Sequence, residues 1–165
     1  MTVATQAKQR RKGVQQRQRT HKRLGRQSKV AAPVQPKLTV PRPARLFPRE
    51  RLFELLDHAR EDHRLIWVSA PGGAGKTSLA TSYLTARQLP VLWYQIDAGD
   101  GDIASFFYYM GLAANQVAPR HKTSLPLFTP EYLGDVPTFT RNFFRELYRR
   151  LPERSVIVLD NYQDA

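Results

Sequence analysis

Cysteine is absent from this 165-residue chain, which excludes a disulfide framework and any thiol chemistry. Long apolar runs are absent too. None approaches the ~20 residues of a membrane-spanning helix, and the positively charged N-terminus lacks the apolar core of a secretory signal. Its arginines show no clear apolar face of the kind a transit peptide presents. The expectation is a cytoplasmic protein with no membrane partner.

Acid is missing from one end only. Residues 1–45 carry 13 Lys/Arg and no Asp or Glu, whereas residues 46–165 carry 13 Lys/Arg against all 14 acids. The net charge of +12 is therefore a +13 arm on a body of −1. Residues 1–40 also lack aromatics, and a segment with so little to bury is expected to be disordered. Such an arm can grip the phosphates of DNA. A charge run without stacking aromatics is more often a solvated tail, or upstream sequence read from a misplaced start codon. The length allows one ordinary domain or part of a larger one. The expected division is a basic tail with a Pro-rich lead-in over 1–45, and a folded portion over 46–165.

What is present centres on residues 65–78, LIWVSAPGGAGKTS. An apolar run (Leu65, Ile66, Trp67, Val68) leads through a flexible turn into a segment compatible with a helix. Against the phosphate-loop pattern G-x-x-x-x-G-K-[ST], only the first position differs, where the small residue Ala70 stands for Gly. Pro71, Gly72, Gly73 and Ala74 fill the variable positions. Gly72, Gly73 and Gly75 let the backbone wrap a polyphosphate, because a Cβ there blocks approach or forbids positive φ. The freed N–H groups, with the start of a helix at Lys76, Thr77 and Ser78, make an anion cradle. Lys76 is expected to reach the β- and γ-phosphates and the Thr77 hydroxyl to bind Mg²⁺. A chance Gly-rich loop is the bland alternative, met in roughly one random chain of this length per hundred. Fewer set it between a buried-strand run and a helix. Nucleotide is the expected ligand.

The surrounding pattern predicts an α/β fold: a P-loop NTPase parallel sheet with flanking helices. Prolines over 33–48 read as an extended lead-in, and Pro48 suits a helix start. Leu52, Phe53, Leu55, Leu56 and Ala59 mark one helix face over about 49–60, and Leu79, Ala80, Tyr83 and Leu84 mark another before Pro90. With strands over 65–69 and 91–96 (VLWYQI), the order predicts a right-handed βαβ unit. Asp97, Asp100 and Asp102 lack the spacing of a calcium loop. They read better as caps for a helix that turns Ile103, Phe106, Phe107, Met110 and Ala114 inward. Residues 119–137 form a long, four-proline connection. Thr138 then precedes a helix with Phe139, Phe143, Phe144, Leu147 and Leu151 on one side and Arg141, Arg145, Arg149 and Arg150 on the other. Last, SVIVLD over 155–160 reads as a strand ending in Asp160, placed where a carboxylate holds Mg²⁺ beside the phosphates. Alone that signal is weak; paired with the loop, in the right order, it is stronger.

From about Lys37 onward the segments KLTVPRP, LFPRERLFELLD, VSAPGGAGKTSL, VLWYQIDAGDGD and VIVLDNYQDA carry a family likeness. On them the chain resembles the N-terminal NTPase region of MalT-like transcriptional activators. These are ATP-dependent, LuxR-type regulators of the STAND class of signal-transducing NTPases. The resemblance implies a switch that holds ADP at rest, exchanges it for ATP when an inducer binds, and self-associates on DNA. It implies Lys76 and Thr77 as phosphate and Mg²⁺ residues and Asp160 as the second Mg²⁺ anchor. It also implies a segment beside the adenine over 46–50, usually with Gly before Arg; here Pro48 precedes Arg49.

Two further departures bear on activity. Many P-loop ATPases follow the strand-end Asp with a second acid that orients the attacking water, whereas Asn161 follows Asp160. Asn cannot accept the water's proton as a carboxylate does, so slow or negligible hydrolysis is expected and no residue is a firm catalytic candidate. The family also continues with a sensor strand, a winged-helix region, a helical-repeat sensor and a helix-turn-helix. The sequence stops at Ala165, so a fragment or an interrupted reading frame is expected, without transcriptional activation by these residues alone. The absent strand belongs between 65–69 and 155–160. Those two segments are therefore not expected to be neighbours, and apolar edges are expected to be exposed.

Overall fold

The computed structural model describes residues 35–42, 48–121 and 123–164. The disorder expected of the basic tail lies outside the described residues, as do residues 46 and 47 of the adenine-side segment. Four helices and two strands are described: α1 (Glu50–Asp62), α2 (Lys76–Ala86), β1 (Val91–Gln95), α3 (Ile103–Val117), α4 (Val136–Arg150) and β2 (Val156–Asp160). The strands pair in parallel, in register from Val91–Val156 to Gln95–Asp160. Backbone bonds from Val156 N to Pro90 O (2.8 Å) and from Ile96 N to Asp160 O (2.9 Å) extend the ladder at each end. Parallel neighbours need a long crossover, and α3 with α4 supplies it.

Alternation along β1 sorts the interior into two layers. Leu92, Tyr94 and Ile96 face α3 and α4, where Phe107, Met110, Phe139, Phe143 and Leu147 complete one core. Trp93 faces the other way, onto Phe53 of α1 and Tyr83 and Leu84 of α2. Successive strand side chains point to opposite faces, so a strand apolar throughout is one covered on both sides. This is a mixed α/β arrangement with helices on each face of a small parallel sheet.

Residues 65–69 depart from expectation. They form no strand: among the described residues they have no ladder partner, and Leu65 is 80% and Trp67 67% exposed. Backbone N–H and C=O groups need partners to make a strand stable, and the one ladder described is β1 with β2. The βαβ unit expected around α2 therefore lacks its first strand; the parallel unit that forms is β1–α3–α4–β2. Residues 65–69 do not pair with β2, and Leu159 in β2 and Tyr162 after it are exposed as well.

Smaller differences have local causes. Helix α4 starts at Val136, before Thr138, because the Asp135 carboxylate accepts from Thr138 N (3.1 Å) and Pro137 suits a first turn. Arg150 is 9% exposed and does not share the solvent face of Arg141, Arg145 and Arg149. It lies three residues beyond the buried Leu147, on the inward stripe, and its Nη2 reaches Thr123 Oγ1 at 3.4 Å. Leu55 is exposed, so the buried stripe of α1 narrows to Phe53 with the half-buried Leu56.

The described part of the lead-in, residues 35–42, is packed against the body. Residues Pro36–Leu38 make a 3₁₀ turn; Leu38 enters the α3–α4 core and Val40 the α1–α2 core. Lys37 Nζ pairs with Asp97 and Asp100 at 2.9 Å each and sits over the Tyr94 and Tyr109 rings, 5.1 and 4.8 Å from their centroids. Burial works against the Lys37 charge, but its bonds to the two carboxylates carry its pKa above the ordinary lysine value. Burial would also raise Asp100. The Tyr94 hydroxyl (2.5 Å), the Asp97 N–H and Lys37 outweigh it and hold that carboxyl below the usual range. The Tyr94 hydroxyl is itself pushed up, first by burial and then by Asp100.

Candidate functional site

The loop over 70–75 begins where the unpaired segment ends and stops at the first turn of α2. Gly73 (φ 75°) and Gly75 (φ 82°) lie in the left-handed region that favours glycine. Gly72 does not, and a Cβ placed on Gly72 or Gly73 meets nothing within 4 Å. Backbone conformation thus explains Gly73 and Gly75, while no protein contact demands Gly72. The loop closes through Ala74 N to Pro71 O at 3.2 Å. Lys76 Nζ folds back and donates to Ala70 O (2.8 Å) and Pro71 O (3.3 Å). Ser78, half-buried in α2, accepts at its carbonyl from Thr81 and Ser82. No bulky side chain fills the space beside Gly72 and Gly73.

The fold brings two distant parts of the sequence together here. Thr77, in the first turn of α2, donates its hydroxyl to both carboxylate oxygens of Asp160 at 3.0 Å. Asp160 is the last residue of β2 and half-buried. Asn161 follows it with φ 57°. The loop and the strand end therefore lie on one side of the molecule, 83 residues apart in sequence.

Arg49 joins them from a third element. It is the residue before α1, and its Nη2 and Nη1 lie 3.4 and 4.0 Å from where a Cβ on Gly75 would stand. Two contacts hold α1 against the far half of α2. Phe53 and Tyr83 meet edge to face at 5.6 Å, and Asp57 accepts from Arg87 (2.9 and 2.7 Å) and Tyr83 (2.6 Å). Bonds from Arg87 and then Tyr83 hold the Asp57 carboxyl below its ordinary value.

The donor set bears on a metal. A threonine hydroxyl and a carboxylate are hard oxygen ligands, and Mg²⁺ on a phosphate chain takes only one or two protein oxygens beside phosphate and water. No cluster of three or more His, Cys, Asp or Glu exists among the described residues, so no all-protein cage is offered there. Thr77 and Asp160 fit the phosphate-sharing kind of site. The three aspartates over 97–102 are structural: Asp97 accepts from Gly99 N (2.9 Å), Asp100 pairs with Lys37, and Asp102 caps α3 through Ser105 N (2.9 Å).

A separate cleft of about 770 Å³ lies between residues 39–42 and the far half of α2. The hydroxyls it offers, Ser82 and Thr85, are already bonded to carbonyls of their own helix. Among the described residues no helix is long and apolar enough to cross a membrane.

Comparison with known proteins points to one group. The chain is 29% identical over 136 residues, 82% of its length, to the HTH-type transcriptional regulator MalT of Cronobacter sakazakii. It is 30% identical over 129 residues to the protein of that name in Vibrio campbellii, and 38% identical over 79 residues, 46% of its length, to that of Vibrio cholerae. It spans only 14% of the first two relatives and 8% of the third. No family model matches the chain, and no solved structure does. These similarities support a MalT-like family relationship for the part of the chain they cover.

Proposed function

We propose that residues 46–165 act as a nucleotide-binding switch module of a MalT-like transcriptional regulator, taking ATP or ADP with Mg²⁺ and hydrolysing slowly or not at all. The observation that carries this reading is the Thr77–Asp160 contact beside an open, left-handed glycine loop. In that arrangement the loop amides and the start of α2 receive the phosphates. The Lys76 ammonium leaves the carbonyls of Ala70 and Pro71 for phosphate oxygens, since a charged acceptor outcompetes a neutral one. Thr77 and Asp160 would hold Mg²⁺, which neutralises phosphate charge there. Asn161 supplies no base for the attacking water. Turnover on the order of 10⁻⁴ s⁻¹ or slower, that of an unassisted small GTPase, is expected.

The test is equilibrium binding of fluorescent ATP and ADP to the chain, with and without Mg²⁺. Lys76→Ala should weaken binding by more than about tenfold, because a charge-assisted contact is lost. Unchanged affinity would refute the reading. Multiple-turnover phosphate release at several per second would replace the switch with an ATPase.

A further inference from the structure

Resting on the nucleotide reading above, we infer that Arg49 is a second cation for the phosphate chain and not a base-side residue. Sequence resemblance puts the segment 46–50 beside the adenine. The guanidinium instead lies against Gly75, the last loop residue before α2, with Nη2 3.4 Å from the position of a Cβ there. Gly75 is left-handed at φ 82° and opens the helix whose first N–H groups face the anion. A guanidinium this near Gly75 lies beside the residue that opens that helix. Among the described residues no carboxylate pairs with Arg49, whereas Lys37 and Arg87 both have carboxylate partners.

The approach is built into the packing. Helices α1 and α2 are held together by Phe53 on Tyr83 and Asp57 on Arg87. From the residue before α1 the Arg49 side chain reaches Gly75 at the start of α2, while Glu50 beside it lies 3.9 Å from Arg87 at the other end of that helix. Lys76 reaches the loop from inside α2, through the Ala70 and Pro71 carbonyls. The two cations thus come at the nest from different elements, and a di- or triphosphate carries charge for both. Guanidinium offers a planar fork suited to phosphate oxygens, which an ammonium does not. The ligand feature Arg49 reads is the phosphate chain, whatever base it bears.

Tripolyphosphate separates the two roles, because it has phosphates and no base. Binding of ATP and of tripolyphosphate should be measured for the wild-type chain, Arg49→Ala, Arg49→Lys and Lys76→Ala. Arg49→Ala is expected to weaken both ligands by a similar factor, about tenfold, with partial recovery in Arg49→Lys. Weaker ATP binding with unchanged tripolyphosphate binding would return Arg49 to the base and overturn the inference. So would unchanged binding of both ligands. If the wild type binds neither ligand and Lys76→Ala changes nothing, the nucleotide reading itself fails, an outcome distinct from a failure at Arg49 alone. Arg49 is solvent-exposed, so the substitution leaves the two cores intact.

Discussion

Two five-residue segments of this protein, VLWYQ at 91–95 and LIWVS at 65–69, look alike as sequence and end up in opposite places. Each is apolar with a tryptophan at its centre. Trp93 is 1% exposed and Trp67 67%. The difference is partners. β1 has β2 along one edge and a helix layer on each face, whereas 65–69 has no ladder among the described residues and sets Trp67 edge to face on Tyr162 at 5.3 Å. Apolar pattern nominates a strand; a neighbour with free N–H and C=O groups makes it one.

That contrast can be broken by mutation. Trp93→Ala should cost about 3–5 kcal/mol of unfolding free energy in urea titration, the range for deleting a buried large aromatic. Trp67→Ala should cost under about 0.5 kcal/mol. Comparable losses at both sites would mean that 65–69 is packed in solution.

A smaller effect is expected where the lead-in is tied to β1 and α3. Lys37→Ala removes the cation facing Asp100, whose side chain is 4% exposed. The carboxylate keeps its bonds to Tyr94 and the Asp97 N–H, so a loss of about 2 kcal/mol is expected in the same titration.

The smallest effect is one of pH. Asp100 and Asp57 are held below their ordinary pKa values in the folded state. The unfolded chain therefore binds protons first, and their contribution is complete above about pH 4 and lost as pH falls through the folded values. Thermal melts from pH 6 downward should show this decline, and Asp100→Asn should flatten part of it. An unchanged slope in that variant would mean that Asp100 contributes none of the decline. Lys37 has the opposite sign, its share being lost as pH rises through its raised value.

Local features were legible in advance. The loop over 70–77 is contiguous, and left-handed backbone at Gly73 and Gly75 follows from residues a few places apart. The inward stripes of α3 and α4 follow from helical period; the same period, carried one step past Leu147, would have turned Arg150 inward. Asp102 as a cap was readable for the same reason. Pairings across long separations were not, except that the loop and the strand-end acid, taken together, had put Thr77 near Asp160. Nothing in the sequence joins Lys37 to Asp100, 63 residues away, or lays Arg49 on Gly75.

What the sequence determined by itself is whatever depends on neighbours along the chain. It set the helix stripes, the caps, the glycine turn, the missing thiols and the separation of a basic arm from a neutral body. Tertiary structure alone decided which apolar run became a strand, that Lys37 pairs with Asp100, and that Arg49 lies near Gly75. The reason is physical. Backbone torsion and side-chain period act within a few residues, whereas ladder bonds, burial and ion pairs form only when packing brings separate segments to contact distance.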